Sequence, residues 1–307
     1  MPQDDGEQRL HGPSSEPNEQ IEVSIEQASR LLEVPAATIR SWERRYRLPG
    51  VGSELSGERR YSPEAMRVLR LLRDYIAGGF GTVDAAAVVE AGPNPAPERL
   101  VSALLQAAYH LQPPDIHHIL DTSLEAFGLD RTVDEVLFPA LREIGREWVT
   151  GSFDVAQEHV ASEATQAWLA RIRQEATPAS QPQPIVLACG PRDQHTMGLE
   201  ALGVLLSRRG WECLLLGART PAESLSRTVQ QLGPAAVVVV SHLIRARHAA
   251  ATSVRSAAAH GTPVFVAGRA FRSRASRYGL PATHLGDGVS GAADLITMTL
   301  ASGRRAG

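Results

Sequence analysis

Between residues 184 and 303, short apolar runs alternate with amphipathic stretches, and this alternation leaves few folds open. Ile185-Val186-Leu187-Ala188-Cys189 is apolar at every position, and a loop and a helical pattern over about 196–209 follow it. Cys213-Leu214-Leu215-Leu216 is the second run, with a helical pattern over 222–231 behind it. Residues 236–240 and 264–267 are the third and fourth. Runs this short and this apolar predict strands buried on both faces. The helices between them predict a parallel α/β sheet. Ligands of such sheets bind outside the carboxyl ends of the strands. The loops after the first, third and fourth strands are therefore the candidate site.

Proline-rich stretches divide the rest of the chain. Ala-Gly-Pro-Asn-Pro-Ala-Pro at 91–97 and a similar stretch at 176–184 can neither continue a helix nor pair in a central strand. Residues 1–20 are polar and nearly free of apolar side chains, and they read as a disordered tail. Residues 21–91 read as helices. Ser24 caps the first, with Gln27 as capping-box partner, and Pro35 fits the first turn of a second over 36–46. Residues 47–60 have no helical period, and Ser62-Pro63-Glu64 opens another helix. Residues 98–175 carry four amphipathic segments with short connections, which predict a four-helix bundle. The expected architecture is thus multidomain, with the α/β domain over 184–303.

The net charge of −3 excludes a polycation, so any nucleic-acid site must be local. Between Thr38 and Arg73 there are nine Arg against four Glu, the footprint expected on phosphate. Cys189 and Cys213 both sit in apolar runs and have no CxxC partner, which predicts inert thiols and a cytoplasmic chain. The N-terminus does not read as a signal peptide, and no apolar run approaches a spanning helix, so no membrane partner is expected.

In the loop after the first strand, Asp193-x-His195-x-x-Gly198 places a carboxylate where it can orient an imidazole and raise its basicity. Gly198 leaves room for a ligand against the backbone. Alone, this pattern also fits an ordinary surface histidine. With Ser241-His242-Leu243 after the third strand and Ala267-Gly268 after the fourth, the set resembles the Rossmann-like cobalamin-binding domains of methionine synthase and methylmalonyl-CoA mutase. The resemblance implies that His195 is the lower axial ligand of the cobalt, replacing the cofactor's own dimethylbenzimidazole, and that Asp193 is its partner. Ser241, Leu243 and Gly268 would then line the slot for the displaced nucleotide tail. Ala267 departs from the Gly-Gly pair of those domains, and its methyl narrows the slot.

In the helical block, Trp148 is followed after nine residues by Glu158-His159. By itself this is equally a core tryptophan beside surface polar residues. It also resembles the Trp-x9-Glu-His cap of light-sensing cobalamin regulators. That resemblance implies that Trp148 lies near a 5′-deoxyadenosyl group, with Glu158 and His159 in polar contact there. The best-known members carry a second ligating histidine after the tryptophan. Val149 occupies that position here and cannot ligate. His159 or water is left to take the position after light, unless the cofactor is released.

The stretch from Ser24 to Tyr46 resembles the winged helix-turn-helix of MerR-family regulators, and Gly-Glu-Arg-Arg-Tyr-Ser at 57–62 resembles the end of their wing. The resemblance implies a major-groove helix carrying Thr38, Arg40, Trp42, Arg44, Arg45 and Tyr46, with Arg59, Arg60 and Tyr61 from the wing. Together the three resemblances imply a transcriptional repressor of the CarH/LitR type, not an enzyme. Such a protein binds operator DNA as a homo-oligomer, dimer or tetramer, when loaded with adenosylcobalamin, and releases DNA after light. Two other readings share part of the layout: a regulator that senses cobalamin without light, and a corrinoid methyl carrier, for which residues 21–91 have no use.

Overall fold

The computed structural model describes residues 22–46, 48, 53–55, 58–77, 81–90, 96–176 and 179–305. The expected disordered tail lies outside these, as does most of the 91–97 linker. The chain forms two compact units, Met1–Glu90 and Ala91–Gly307.

In the first unit, strand β1 (Val23–Ser24) leads into helices α1 (Ile25–Leu32) and α2 (Ala36–Arg45). Strands β2 (Ser53–Leu55) and β3 (Glu58–Tyr61) follow, then helices α3 (Pro63–Ala77) and α4 (Thr82–Glu90). Ser24 and Gln27 form the predicted capping box: the Gln27 N–H donates to Ser24 Oγ at 3.3 Å and the Ser24 N–H to Gln27 Oε1 at 2.8 Å. Glu33 ends α1 in the left-handed region. The wing, visible in the sequence only by its closing residues, belongs to an antiparallel sheet of order β1-β3-β2. Val23 pairs with Tyr61, and Ser53 with Arg60. Ala28, Leu32, Ile39, Trp42, Tyr61, Leu69 and Leu72 form the interior.

The second unit begins with the bundle: α5 (Pro97–Tyr109), α6 (Pro113–Phe127), α7 (Leu129–Arg131), α8 (Phe138–Thr150) and α9 (Val155–Gln174). The third predicted segment, 133–148, begins within a π-helical turn, Thr132–Leu137, which follows α7 and leads into α8. Asp154 caps α9 in a box with Gln157.

The sheet half contains β4 (Ile185–Cys189), α10 (Met197–Arg208), β5 (Cys213–Gly217), α11 (Ala222–Leu232) and β6 (Ala236–Val240). It continues through α12 (Arg247–Ala258), β7 (Val264–Ala267), α13 (Arg274–Arg277), β8 (Thr283–His284) and α14 (Val289–Arg305). All pairings are parallel, in the order β5-β4-β6-β7-β8. The central strands β4 and β6 are buried at every residue, as their unbroken apolar runs require. The fifth strand, β8, is two residues long, too short to register as an apolar run.

Bundle and sheet halves are tied by polar contacts. Gln166 of α9 donates to Glu200 Oε1 of α10 at 3.0 Å and to Thr196 Oγ1 at 3.4 Å. Arg209 joins Asp130 to Asp294. Asp134, on the π turn, accepts from the Val289 N–H at 3.0 Å and from the Ser290 hydroxyl, so the bundle caps α14. Burial pushes both cysteine thiols up to about 12, as expected of inert groups. No helix among the described residues is long and apolar enough to cross a membrane.

Candidate functional site

Strand order reverses around β4, whose neighbours β5 and β6 lead to opposite edges of the sheet. The loops after β4 and β6 therefore open onto the crevice at the switch point. The first carries His195 and the second Ser241, His242 and Leu243. The loop after the neighbouring β7 begins at Gly268.

Asp193 organises these loops. It is fully buried, and its two carboxylate oxygens divide the work. Oδ1 accepts from His195 Nδ1 at 2.7 Å and from the His195 N–H at 3.1 Å. Oδ2 accepts from the His242 N–H and, at 3.3 Å, from the Leu243 N–H. Burial pushes the carboxyl up, but the hydrogen bonds from His195 and His242 outweigh it and hold Asp193 well below the usual carboxylate range. The same bond raises the basicity of His195 against the opposing effects of burial and of the Arg269 charge. Nδ1 is thereby occupied, and Nε2 is left on a side chain that is 60% exposed. A carboxylate-backed imidazole with an available Nε2 is the donor set a metal-bound histidine uses.

The residues expected to line a slot for the nucleotide tail show a matching fit. Ser241 is fully buried, and its Oγ has no hydrogen-bond partner, an unmet demand that a polar ligand group would satisfy. Gly268 has φ +93°, and a Cβ there would lie 2.8 Å from the Ser241 carbonyl carbon, so only glycine closes over this slot. A Cβ at Gly198 would meet nothing within 4 Å, which leaves room above the start of α10. These residues fit a cobalamin bound through His195.

The sequence did not single out His242 as a site residue. Its ring lies 5.4 Å from that of His195, and burial lowers its proton affinity. Backbone donation to Asp193 leaves no trace in the sequence, so its role in joining the loops could not be read there.

On the bundle, Trp148 lies at the end of α8 and is 50% exposed, and Val149 beside it is 77% exposed. Gly151 (φ +81°) turns the chain into α9, whose first turns carry Glu158 and His159. Glu158 Oε1 accepts from the Ser162 hydroxyl at 2.8 Å, and its other oxygen lies 3.7 Å from His159 Nε2. Glu158, Ser162 and Gln166 recur every four residues on one face of α9. Gln166 touches Thr196, the neighbour of His195. Glu158 sits two turns further along, about 12 Å of helix rise from Gln166. One face of α9 thus runs from the Trp148 end of the bundle to the His195 loop.

In the first unit, Arg40, Arg44 and Arg45 are exposed on α2, and Arg60 is exposed on β3. Thr38, Trp42, Arg45 and Tyr46 share a cleft of about 500 Å³ with Thr82 and Val83. Trp42 and Tyr61 are interior residues: Tyr61 is fully buried, and its hydroxyl donates to Glu43 Oε1 at 2.5 Å, tying wing to helix. Both pack inside the unit, behind the helix and strand whose arginines are exposed. Arg59 lies on β3 opposite Glu54, and its side chain is outside the described set.

A helix-turn-helix unit with exposed arginines, joined to a bundle and to a sheet that presents a carboxylate-backed histidine, defines a DNA-binding regulator governed by a cobalamin. The family models agree: residues 23–91 match the MerR HTH family of regulatory proteins, and residues 100–173 match the B12 binding domain family. The chain is 32% identical over 265 residues to the HTH-type transcriptional repressor CarH of Myxococcus xanthus, covering 80% of this chain and 88% of the relative. It is 33% identical over 233 residues to the repressor CarA of the same organism, covering 73% and 77%. The chain belongs to this family of cobalamin-binding MerR-type transcriptional repressors, which are regulators rather than enzymes. The second unit shares its fold with the monomethylamine corrinoid protein of Methanosarcina barkeri: TM-score 0.57 at 12% identity, over 66% of this chain and all of that one.

Proposed function

We propose that this repressor holds operator DNA while loaded with adenosylcobalamin and releases it after illumination. The observation that carries the reading is the Asp193–His195 pair at the switch point, beside the orphaned Ser241 hydroxyl. In this reading residues 21–91 bind DNA, residues 98–175 cover the upper face of the corrin, and residues 184–303 hold it from below. Adenosylcobalamin supplies a cobalt–carbon bond that light breaks. His195 Nε2 would ligate the cobalt, with Asp193 fixing the imidazole. Ser241, Leu243 and Gly268 take the nucleotide tail. Trp148 offers a flat apolar surface to the upper ligand, with Glu158 and His159 as polar partners.

Coupling to DNA is multivalent. One helix-turn-helix unit binds weakly, and a cofactor-dependent dimer or tetramer raises the effective concentration of the others. The cofactor must then favour the assembled state in the dark. Val149 supports a second reading, in which cobalamin is sensed without light, because its exposed side chain has no ligating atom where a second histidine is expected.

One experiment separates the two. The full chain is loaded with adenosylcobalamin in the dark, and absorbance, size and binding to its own promoter are recorded before and after green light. The light-responsive reading expects a smaller species and lost DNA binding. Unchanged size and binding after light leave the light-independent sensor. In the same assay His195→Ala should alter the cobalt spectrum, and an identical spectrum would remove His195 as ligand.

A further inference from the structure

The charge of the sheet half is unevenly distributed. Residues 224–286 contain eight Arg and neither Asp nor Glu, in a chain whose net charge is −3. Seven of these arginines fall in the segments that follow β6 and β7, which begin at the strand ends where the switch-point site also lies. Three of them, Arg247, Arg269 and Arg272, border a cleft of about 520 Å³, whose walls also include Ile244, Ser273 and Ser276. That volume is in the range of small-molecule sites.

Folding accounts for some of these side chains. Arg247 donates to the Ser276 carbonyl at 2.7 Å, and Arg277 donates to the carbonyls of Phe271 and Arg272 at 2.6 and 2.7 Å. Arg272 meets Asp287 at 3.1 Å in a pair more than 70% exposed on both sides, which adds little stability. Arg269 is exposed and has no hydrogen bond or ion pair among the described residues. It directly follows Gly268, which packs against the backbone of Ser241, the residue whose buried hydroxyl is orphaned. Gathering like charges beside a polar slot is unfavourable unless an anion is to enter.

We propose that this cleft is a phosphate subsite, with Arg269 as its principal cation and Arg247 and Arg272 flanking it. The proposal rests on the cobalamin reading. A nucleotide tail displaced from cobalt carries a phosphodiester into this half of the protein, and a free nucleotide offers the same group. Guanidinium suits either, because its planar fork matches phosphate oxygens.

The test uses the full chain in the dark, with corrinoid binding read by absorbance. Wild type, Arg269→Gln and Arg269→Lys are titrated with adenosylcobalamin and with adenosylcobinamide, which lacks the nucleotide and its phosphate. If the tail is the source, Arg269→Gln weakens adenosylcobalamin about tenfold and leaves adenosylcobinamide unchanged, and Arg269→Lys, which keeps the charge but not the fork, falls between Arg269→Gln and wild type. In a second arm, AMP and inorganic phosphate are titrated into the cobalamin-loaded protein by calorimetry. Binding of AMP that Arg269→Gln abolishes, with corrinoid selectivity unchanged, supports the subsite with a free nucleotide as source. Equal loss of both corrinoids, or no effect of Arg269 in either arm, overturns the subsite. Failure of wild type to bind either corrinoid overturns the cobalamin reading instead.

Discussion

Gly268 shows how much of the site depends on what a residue lacks. Its φ of +93° is unfavourable for any side chain, and a Cβ would press on the Ser241 backbone rather than on a movable side chain. Neither neighbour can yield without shifting β6 or β7. Gly268→Ala should therefore cost about 2 kcal/mol of stability and sharply reduce cobalamin uptake, read as a lowered urea midpoint of the full chain and a lost absorbance titration. An unchanged midpoint would show that the close approach to Ser241 is not a constraint. Asp193 gains its importance differently. Its burial would ordinarily neutralise it, and four N–H donors keep it charged.

At the scale of elements, the sequence was most legible where one local rule sufficed. The capping pair Ser24–Gln27 follows from side-chain chemistry alone, and so do the four apolar strands and the helices between them. The candidate loops followed too, because a parallel sheet puts its ligands at one edge. Contacts between distant elements were not legible. Nothing in Asp134 announces that it caps α14 more than 150 residues away, and nothing in the Trp42 and Tyr61 motif positions marks them as interior. A resemblance names positions; only packing decides which face solvent. The Asp134 contact is testable at this scale. It supplies acceptors to the Val289 and Ser290 N–H groups at a helix start, so Asp134→Ala should remove about 1–2 kcal/mol. The loss would appear as a lower thermal midpoint with the cobalamin spectrum retained. A wild-type midpoint would mean that the bundle does not hold α14.

At the scale of the molecule, a net charge of −3 conceals local cationic regions. In the proposed reading, DNA affinity comes from the first unit's arginines. Binding should therefore weaken linearly with the logarithm of salt concentration. Arg44→Ala, which removes an exposed cation at the end of α2, should weaken binding across sequences and lower the salt slope by about one if Arg44 contacts phosphate. A variant with unchanged slope but relaxed sequence preference would assign Arg44 to a base instead. The second unit has its own economy of control. One carboxylate, Asp193, holds both the histidine loop and the loop that follows β6. The two motifs are some fifty residues apart in the chain, yet they are not separately adjustable. A substitution of Asp193 would free both loops at once, so a single side chain sets their spacing.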